Sequence, residues 1–340
     1  KVYFELPVDL INKDMLIGST VTSISDNGNA VVGSKPTDLL HVMFTRNKTH
    51  VQLRQVNTDY ITGSTQIDEA LRKSTLGAII SNQKIQAYNN DSTAIVFDMT
   101  GVFLSDNKKM SPFDRNSIYG MYNRTENYQS DCSYISQIKA FKDNVSIKSC
   151  LSYTFSVSNS QGASLIKDRP FTAEMTRSIM LLKEKPYRPR MADYRIGVFF
   201  TGREQLGEGA KTTAPVYYAN RWDIQPSDTA AYLRGEKVKP TKQIVFYIDN
   251  TFPEKWKPYL REGVTQWNEL FEQIGFKDVV AAKDFPTDDP EFDPDNIKYS
   301  CVRYAPSSIE NAMGPSWVDP RSGETVSYTH LRAHETSAHL

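Results

Sequence analysis

Along the first 200 residues, apolar and polar side chains alternate in runs broken by short polar stretches. That period of two marks strands with one buried and one solvated face. LLHVMFTRNKTHVQLRQV holds two such runs around RNKT, KIQAYNNDSTAIVFDMT two around NNDS, and SYISQIKAFKDNVSIKSCLSYTFSV two around KDN. Each predicts an antiparallel hairpin. The opening KVYFELP reads as a further strand. TQIDEALRKS predicts one short helix, with Ser64 or Thr65 as its cap. The expectation for residues 1–200 is a β-rich domain, a sandwich or a curled sheet. No cluster of residues in it has catalytic spacing.

The pattern then changes. Residues 201–242 are polar and hold Gly, Pro and Thr, which predicts a connector, with a short capped helix in PSDTAAYLRGE ending at Gly235. QIVFYID (243–249) is a strand. FPEKWKPYLREGVTQWNELFEQIGF predicts one long helix, with Pro253 near its first turn and Gly275 past its end. Pro258 falls early enough to be tolerated. Trp256, Leu260, Val264, Trp267, Leu270, Phe271 and Ile274 step by three and four, so they share a stripe that should pack on a sheet. KDVVAAKDF and IKYSCVRYA add two strands on either side of the loop PTDDPEFDPDN. Strand, helix, strand, strand over 243–324 is an α/β layer, so the fold class of the chain as a whole is α+β.

Composition narrows the function. A chain of 340 residues suggests about two domains. With 40 basic and 40 acidic side chains there is no overall field to recruit nucleic acid or an anionic membrane, and nucleic acid is not expected as a partner. No apolar run approaches the roughly 20 residues that span a bilayer, so no transmembrane segment is expected. Cys132, Cys150 and Cys301 are widely spaced with no Cys-x-x-Cys, which argues against a thiolate metal site. Cys132 and Cys150 could pair; otherwise the thiols are expected to be free and buried. The basic run from Lys183 to Arg190 reads as a solvated extended connector, with an anionic-ligand patch as the alternative. The acidic loop carries Asp284, Asp288, Asp289, Glu291, Asp293 and Asp295. Calcium is conceivable there, but the spacing fits no EF-hand and the prolines suggest a stiff, solvated loop. The sequence opens on Lys1, without Met or signal peptide, and the expectation is that the natural N-terminus and any export signal precede it.

Two long stretches carry a family resemblance. RWDIQPSDTAAYLRGEKVKPTKQIVFYIDNTFPEKWKPYLREGVTQWNELFEQIGFKDVVAAKDFP and YSCVRYAPSSIENAMGPSWVDPRSGE resemble a bacterial family of large zinc-dependent metalloproteases. In that family a β-rich domain of unknown function precedes a metzincin-type catalytic domain. VYFELP and MTRSIMLLKEKPYRPRMADYRIGVFF resemble the preceding domain. The resemblance runs to about Glu324. It implies that residues 243–324 are the N-terminal half of a zincin-like domain, and that the parent protein cleaves a peptide or protein substrate with zinc-activated water and a glutamate base. It also implies a cell-envelope or secreted location. The cleft-edge strand of such a domain falls around Met313, Gly314, Pro315, Ser316, Trp317 and Val318, which makes these the candidate substrate-facing residues; an ordinary loop with a DPRSGE turn is the alternative. The family's zinc helix, His-Glu-x-x-His followed by a third ligand, is expected tens of residues beyond DPRSGE and is not among these residues.

The last 16 residues look like a zinc motif and fail as one. In HETSAH, His334 and His339 are five apart, about 140° around a helix, and cannot share a metal. His330 and His334 are four apart, but Glu335 follows the second histidine instead of lying between the two. All three histidines are therefore rejected as ligands. Val326 to Thr336 match the translation of one reading frame of a transposase-based sequencing-library adapter. The expectation is that 325–340 derive from it, hold no metal and do not pack into the sheet. On this reading the fragment binds no zinc, has no activity, and exposes surface that favours association. The alternative function is a non-catalytic cell-envelope module binding a peptide, a glycan or a partner subunit.

Overall fold

The structure is a computed structural model. It describes all residues except 208–212, 305, 307–313, 315 and 333–340, and for 327–332 the backbone alone. The chain divides into two units, Lys1–Arg221 with Val318–Glu324, and Trp222–Trp317 with the residues from Thr325 on.

The first unit is built on strands β1 (Tyr3–Pro7), β2 (Asp14–Ile24), β3 (Leu40–Arg46), β4 (His50–Gln55) and β5 (Tyr60–Thr62), then helix α1 (Thr65–Ser74). After it come β6 (Ala78–Tyr88), β7 (Ala94–Asp98), helix α2 (Thr100–Phe103), β8 (Asn123–Tyr128), β9 (Tyr134–Ala140), β10 (Asn144–Ser158), β11 (Ser164–Leu181), β12 (Phe200–Leu206) and β13 (Thr213–Ala219). Ten of the strands form one curled antiparallel sheet in the order β1-β7-β6-β4-β3-β2-β11-β10-β8, with β9 also on β10.

The three predicted hairpins are present, as β3–β4, β6–β7 and β9–β10. Local chemistry closes their turns. The Asn47 side-chain oxygen accepts the N–H groups of Thr49 (2.9 Å) and His50 (2.8 Å), and Asn89 accepts that of Ala94 (2.9 Å). The predicted helix is α1, capped from Ser64 without a side-chain bond.

Alternation gives this sheet its core. One cluster gathers Ile17, Val42, Phe44, Leu53, Phe97 and Phe103, and another gathers Leu151, Tyr153, Phe155, Phe171 and Met175 under Phe113. Phe44 meets Phe97 edge-on at 5.7 Å, and Phe113 meets Tyr153 at 4.9 Å. On β11, between Met175 of the second cluster and Ile179 of the first, sits Arg177, 1% exposed. Its Nη2 donates to the Met110 carbonyl at 3.0 Å, while Nε and Nη1 are buried without hydrogen-bond partners. Burial drives its pKa down to about 10.

Residues 201–242 are not a plain connector. β12 and β13 pair antiparallel, and β12 runs parallel to β5, giving a sheet in the order β13-β12-β5. Arg203 anchors this pairing by donating to the Thr58 carbonyl, and the Glu204 N–H donates to the Asp59 carbonyl at 2.7 Å. Such contacts join residues too distant in sequence for a local pattern to show them.

The second unit starts with helix α3 (Thr229–Leu233), where Asp228 caps the Ala231 N–H at 2.9 Å and Gly235, at φ 84°, ends the turn. Strand β14 (Ile244–Ile248) leads to helices α4 (Lys257–Thr265) and α5 (Asn268–Gln273), then β15 (Val280–Asp284), β16 (Ser300–Arg303), β17 (Ser316–Asp319) and β18 (Glu324–Arg332). The sheet order is β15-β14-β16-β18-β17, with β14 parallel to both β15 and β16.

The single long helix expected here is two. Thr265 turns its hydroxyl back to the Arg261 carbonyl (2.9 Å) as α4 ends, and Asn268 holds both backbone groups of Val280 at 2.8 Å, tying the start of α5 to β15. The break splits the apolar stripe. Trp256, Leu260, Val264 and Phe271 pack against the core, whereas Trp267, Leu270 and Ile274 are more than half exposed.

Two further expectations are corrected. The tail does enter the sheet: β18 runs parallel to β16, with Cys301 facing Thr329 and Val302 facing Leu331. The physical reason is that Val-Ser-Tyr-Thr alternates, the stretch to Leu331 is rich in strand-favouring residues, and it meets backbone groups of β16 that need partners. The cysteines are all free, but Cys132 is exposed and only Cys150 and Cys301 are buried.

Phe155→Ala empties a fully buried aromatic position and is expected to lower stability by about 3–5 kcal/mol. Arg177→Met, equally buried, should cost less, because it removes a desolvated cation with two unpaired donors. Urea denaturation of both variants measures the difference; equal losses would contradict it.

Candidate functional sites

The predicted substrate-facing segment falls partly on β17. Met313 and Pro315 lie outside the described residues, and Gly314 is exposed. Ser316, Trp317 and Val318 begin β17, which among the described residues stands last in the sheet order, at its edge. Trp317 is 3% exposed and faces inward, while its neighbours Ser316 and Val318 are half-buried. An extended peptide could add to such an edge through backbone hydrogen bonds.

Of the rejected histidines, His330 lies in β18, while His334 and His339 are outside the described residues. A strand at His330 removes the helical premise of the His330–His334 spacing. Among the described residues no group of three or more His, Cys, Asp or Glu is arranged to hold a metal.

The acidic loop uses its carboxylates internally. Asp295 is buried and bonds Arg303 at 2.5 Å, and Arg303 also lies 3.9 Å from Asp249. Asp289 and Asp293 accept the N–H groups of Glu291 and Asp295 at 2.9 and 3.0 Å. The Asp295–Arg303 bond fastens the loop to β16.

A hollow in the first unit is announced by no motif. A cavity of about 650 Å³ is enclosed by the segment before β3, the loop after α2 and strand β8. Five cations line it: Lys35, Lys108, Lys109, Arg115 and Arg124. Three carboxylates join them: Asp38, Asp114 and Glu126.

Arg124 is the fixed element of the cavity. Its side chain is 7% exposed and lies over the Phe113 ring at 4.7 Å. Its Nε donates to Glu126 at 3.0 Å, and its Nη1 reaches Ser117 Oγ at 3.3 Å and the Asp114 carbonyl at 3.4 Å. Lys108 shares Glu126 at 3.1 Å and Asp106 at 3.0 Å. Burial acts to lower the Lys108 pKa, but bonds to these two carboxylates outweigh it and hold the pKa above its usual range. Lys109 donates to Gln55 at 2.5 Å. The Lys35 ammonium is buried, and burial drives its pKa well below the usual lysine range. Lys108–Lys109 is the one local charge signal that sequence could have offered; the remaining residues come from positions 35 to 126.

A family profile covers residues 34–227, more than half of the chain. The chain belongs to the family described as Domain of unknown function (DUF5117). No curated protein and no solved structure matches it. All five cavity cations of this DUF5117 chain fall inside the matched stretch.

Within the first unit of the DUF5117 chain, a second polar cluster joins β2, β3 and the Val318–Glu324 stretch. Asp14 bonds His41 Nε2 at 2.8 Å through one oxygen and Arg321 Nη1 at 2.9 Å through the other, and Arg321 pairs with Asp319 at 2.8 Å. His41 is 5% exposed and borders a smaller hollow of about 410 Å³. The hydrogen bond from His41 is the main cause holding the Asp14 carboxyl below its ordinary value of 3.8, with Arg321 adding to it.

A depressed carboxyl stabilises the fold above its unfolded pKa, and the effect is lost as pH falls through the lower, folded value. Asp14→Asn should therefore lower the thermal midpoint at pH 7. The gap to wild type should close as pH falls below 3.8. Melting curves across pH test this, and a gap that stays constant down to pH 2 would rule it out.

Proposed function

We propose that this chain is part of a zinc-dependent metalloendopeptidase, with the DUF5117 region as an accessory domain and residues 243–324 as the first part of the catalytic domain. The observation that carries this reading is the layout of β14, α4, α5, β15, β16 and edge strand β17 over the residues that carry the family resemblance. Helices between parallel strands, with β17 last in the sheet order among the described residues, suit a domain that takes an extended peptide as an added strand. The described residues offer no zinc donor set. The reading therefore places the metal ligands and the glutamate base in sequence beyond Glu324, and no catalytic step is assigned to residues of this chain. The substrate is a peptide or protein, and the location is the cell envelope or outside the cell.

The cavity favours a second reading, a non-catalytic binding module, because it is a formed hollow with a surplus of positive charge. Sequence and metal content separate the two. An intact gene should encode His-Glu-x-x-His within roughly a hundred residues after codon 324. The protein expressed from it should hold one zinc per chain by elemental analysis and cleave an unstructured protein such as casein. The present 340-residue chain should hold none. An intact gene without that motif would overturn the peptidase reading and leave the binding module.

A further inference from the structure

The cavity beside Arg124 has the chemistry of an anion receptor. Basic residues outnumber carboxylates five to three along its walls. Two of the three carboxylates have partners. Glu126 is shared by Arg124 and Lys108, and Asp114 accepts the Asn116 N–H at 2.8 Å. Asp38 is exposed. Arg115 is exposed too, and has no ion pair among the described residues. The result is a concave, positively charged wall in a chain whose charges sum to zero. Charge concentrated in a cleft attracts an opposite charge more strongly than the same charge on an open surface.

The walls are rigid where they need to be. Arg124 is locked by four acceptor residues and by Phe113, so the basic lining does not collapse onto Glu126 alone. Tyr122, nearly half exposed, offers an aromatic face at the rim. A volume of about 650 Å³ suits a small molecule and not a folded partner. Lysines serve oxyanions as point charges, with several donors each.

We propose that this cavity binds a small molecule carrying an oxyanion group, a phosphate monoester or a sugar carboxylate, with Lys35, Lys109 and Arg115 supplying the charge. The proposal stands apart from the peptidase reading and needs neither zinc nor peptide cleavage. Burial that disfavours the Lys35 ammonium supports it, because an anion brought to that position restores the charged form.

The test uses the full chain and isothermal titration at constant ionic strength with two probes, glucose 6-phosphate and glucuronate. Saturable one-to-one binding of either probe is expected. Binding of the first alone identifies a phosphate ester, and binding of the second alone identifies an acidic sugar. Arg115→Gln and Lys109→Gln should each weaken that binding about tenfold, the scale of one charge-assisted hydrogen bond. Lys73→Gln, on exposed α1, should leave it unchanged. Lys35→Gln should abolish binding. If that variant does not fold, the exposed Arg115 variant decides alone. Absence of saturable binding to both probes at 10 mM, or binding unaffected by Arg115→Gln and Lys109→Gln, would overturn the proposal, and neither result bears on zinc content or proteolysis.

Discussion

The 15 residues of β10 run against the 18 of β11, and the larger unit is assembled outward from that pairing. β10 takes β8 and β9 on its other side, and β11 takes β2, through which the rest of the sheet continues. The register puts Leu151 opposite Ala173 and Tyr153 opposite Phe171, so the second core cluster forms on one face. A slip of one residue would turn every one of those side chains to the other face. Arg177 is the exception that this register tolerates. It follows the inward alternation of Met175 and Ile179 but carries a charge into the core, answered by one carbonyl.

The same pairing fixes the cavity. Arg124 and Glu126 sit on β8 opposite Val157 and Phe155 of β10, so their position is set by the sheet and not by the loops. The loops bring the rest: Lys35 from the approach to β3, Lys108, Lys109 and Arg115 from the stretch after α2. A strand thus holds the buried arginine, and basic residues from the loops surround it.

In the second unit, the parallel pairing of β14 with β15 requires a crossover, and α4 and α5 supply it. Asn268 decides its form. By bonding both backbone groups of Val280 it fastens α5 to β15 and leaves Trp267, Leu270 and Ile274 on the surface. Periodicity alone would have buried all three, because a helical stripe records which residues lie on one side and not where the axis bends.

The sequence by itself determined the β-rich character of the first unit, three hairpins, the limits of α1, and the strands β14, β15 and β16. These rest on short-range physics: alternation, turn residues such as Asn47 and Asn89, and the Asp228 cap with Gly235 behind it. Tertiary structure alone decided the parallel pairing of β12 with β5, the entry of β18 beside β16, the break between α4 and α5, and the gathering of Lys35, Lys109, Arg115 and Arg124 around one hollow. Each of these depends on backbone or charged groups finding partners far away along the chain, and a local pattern carries no record of which distant group will be there.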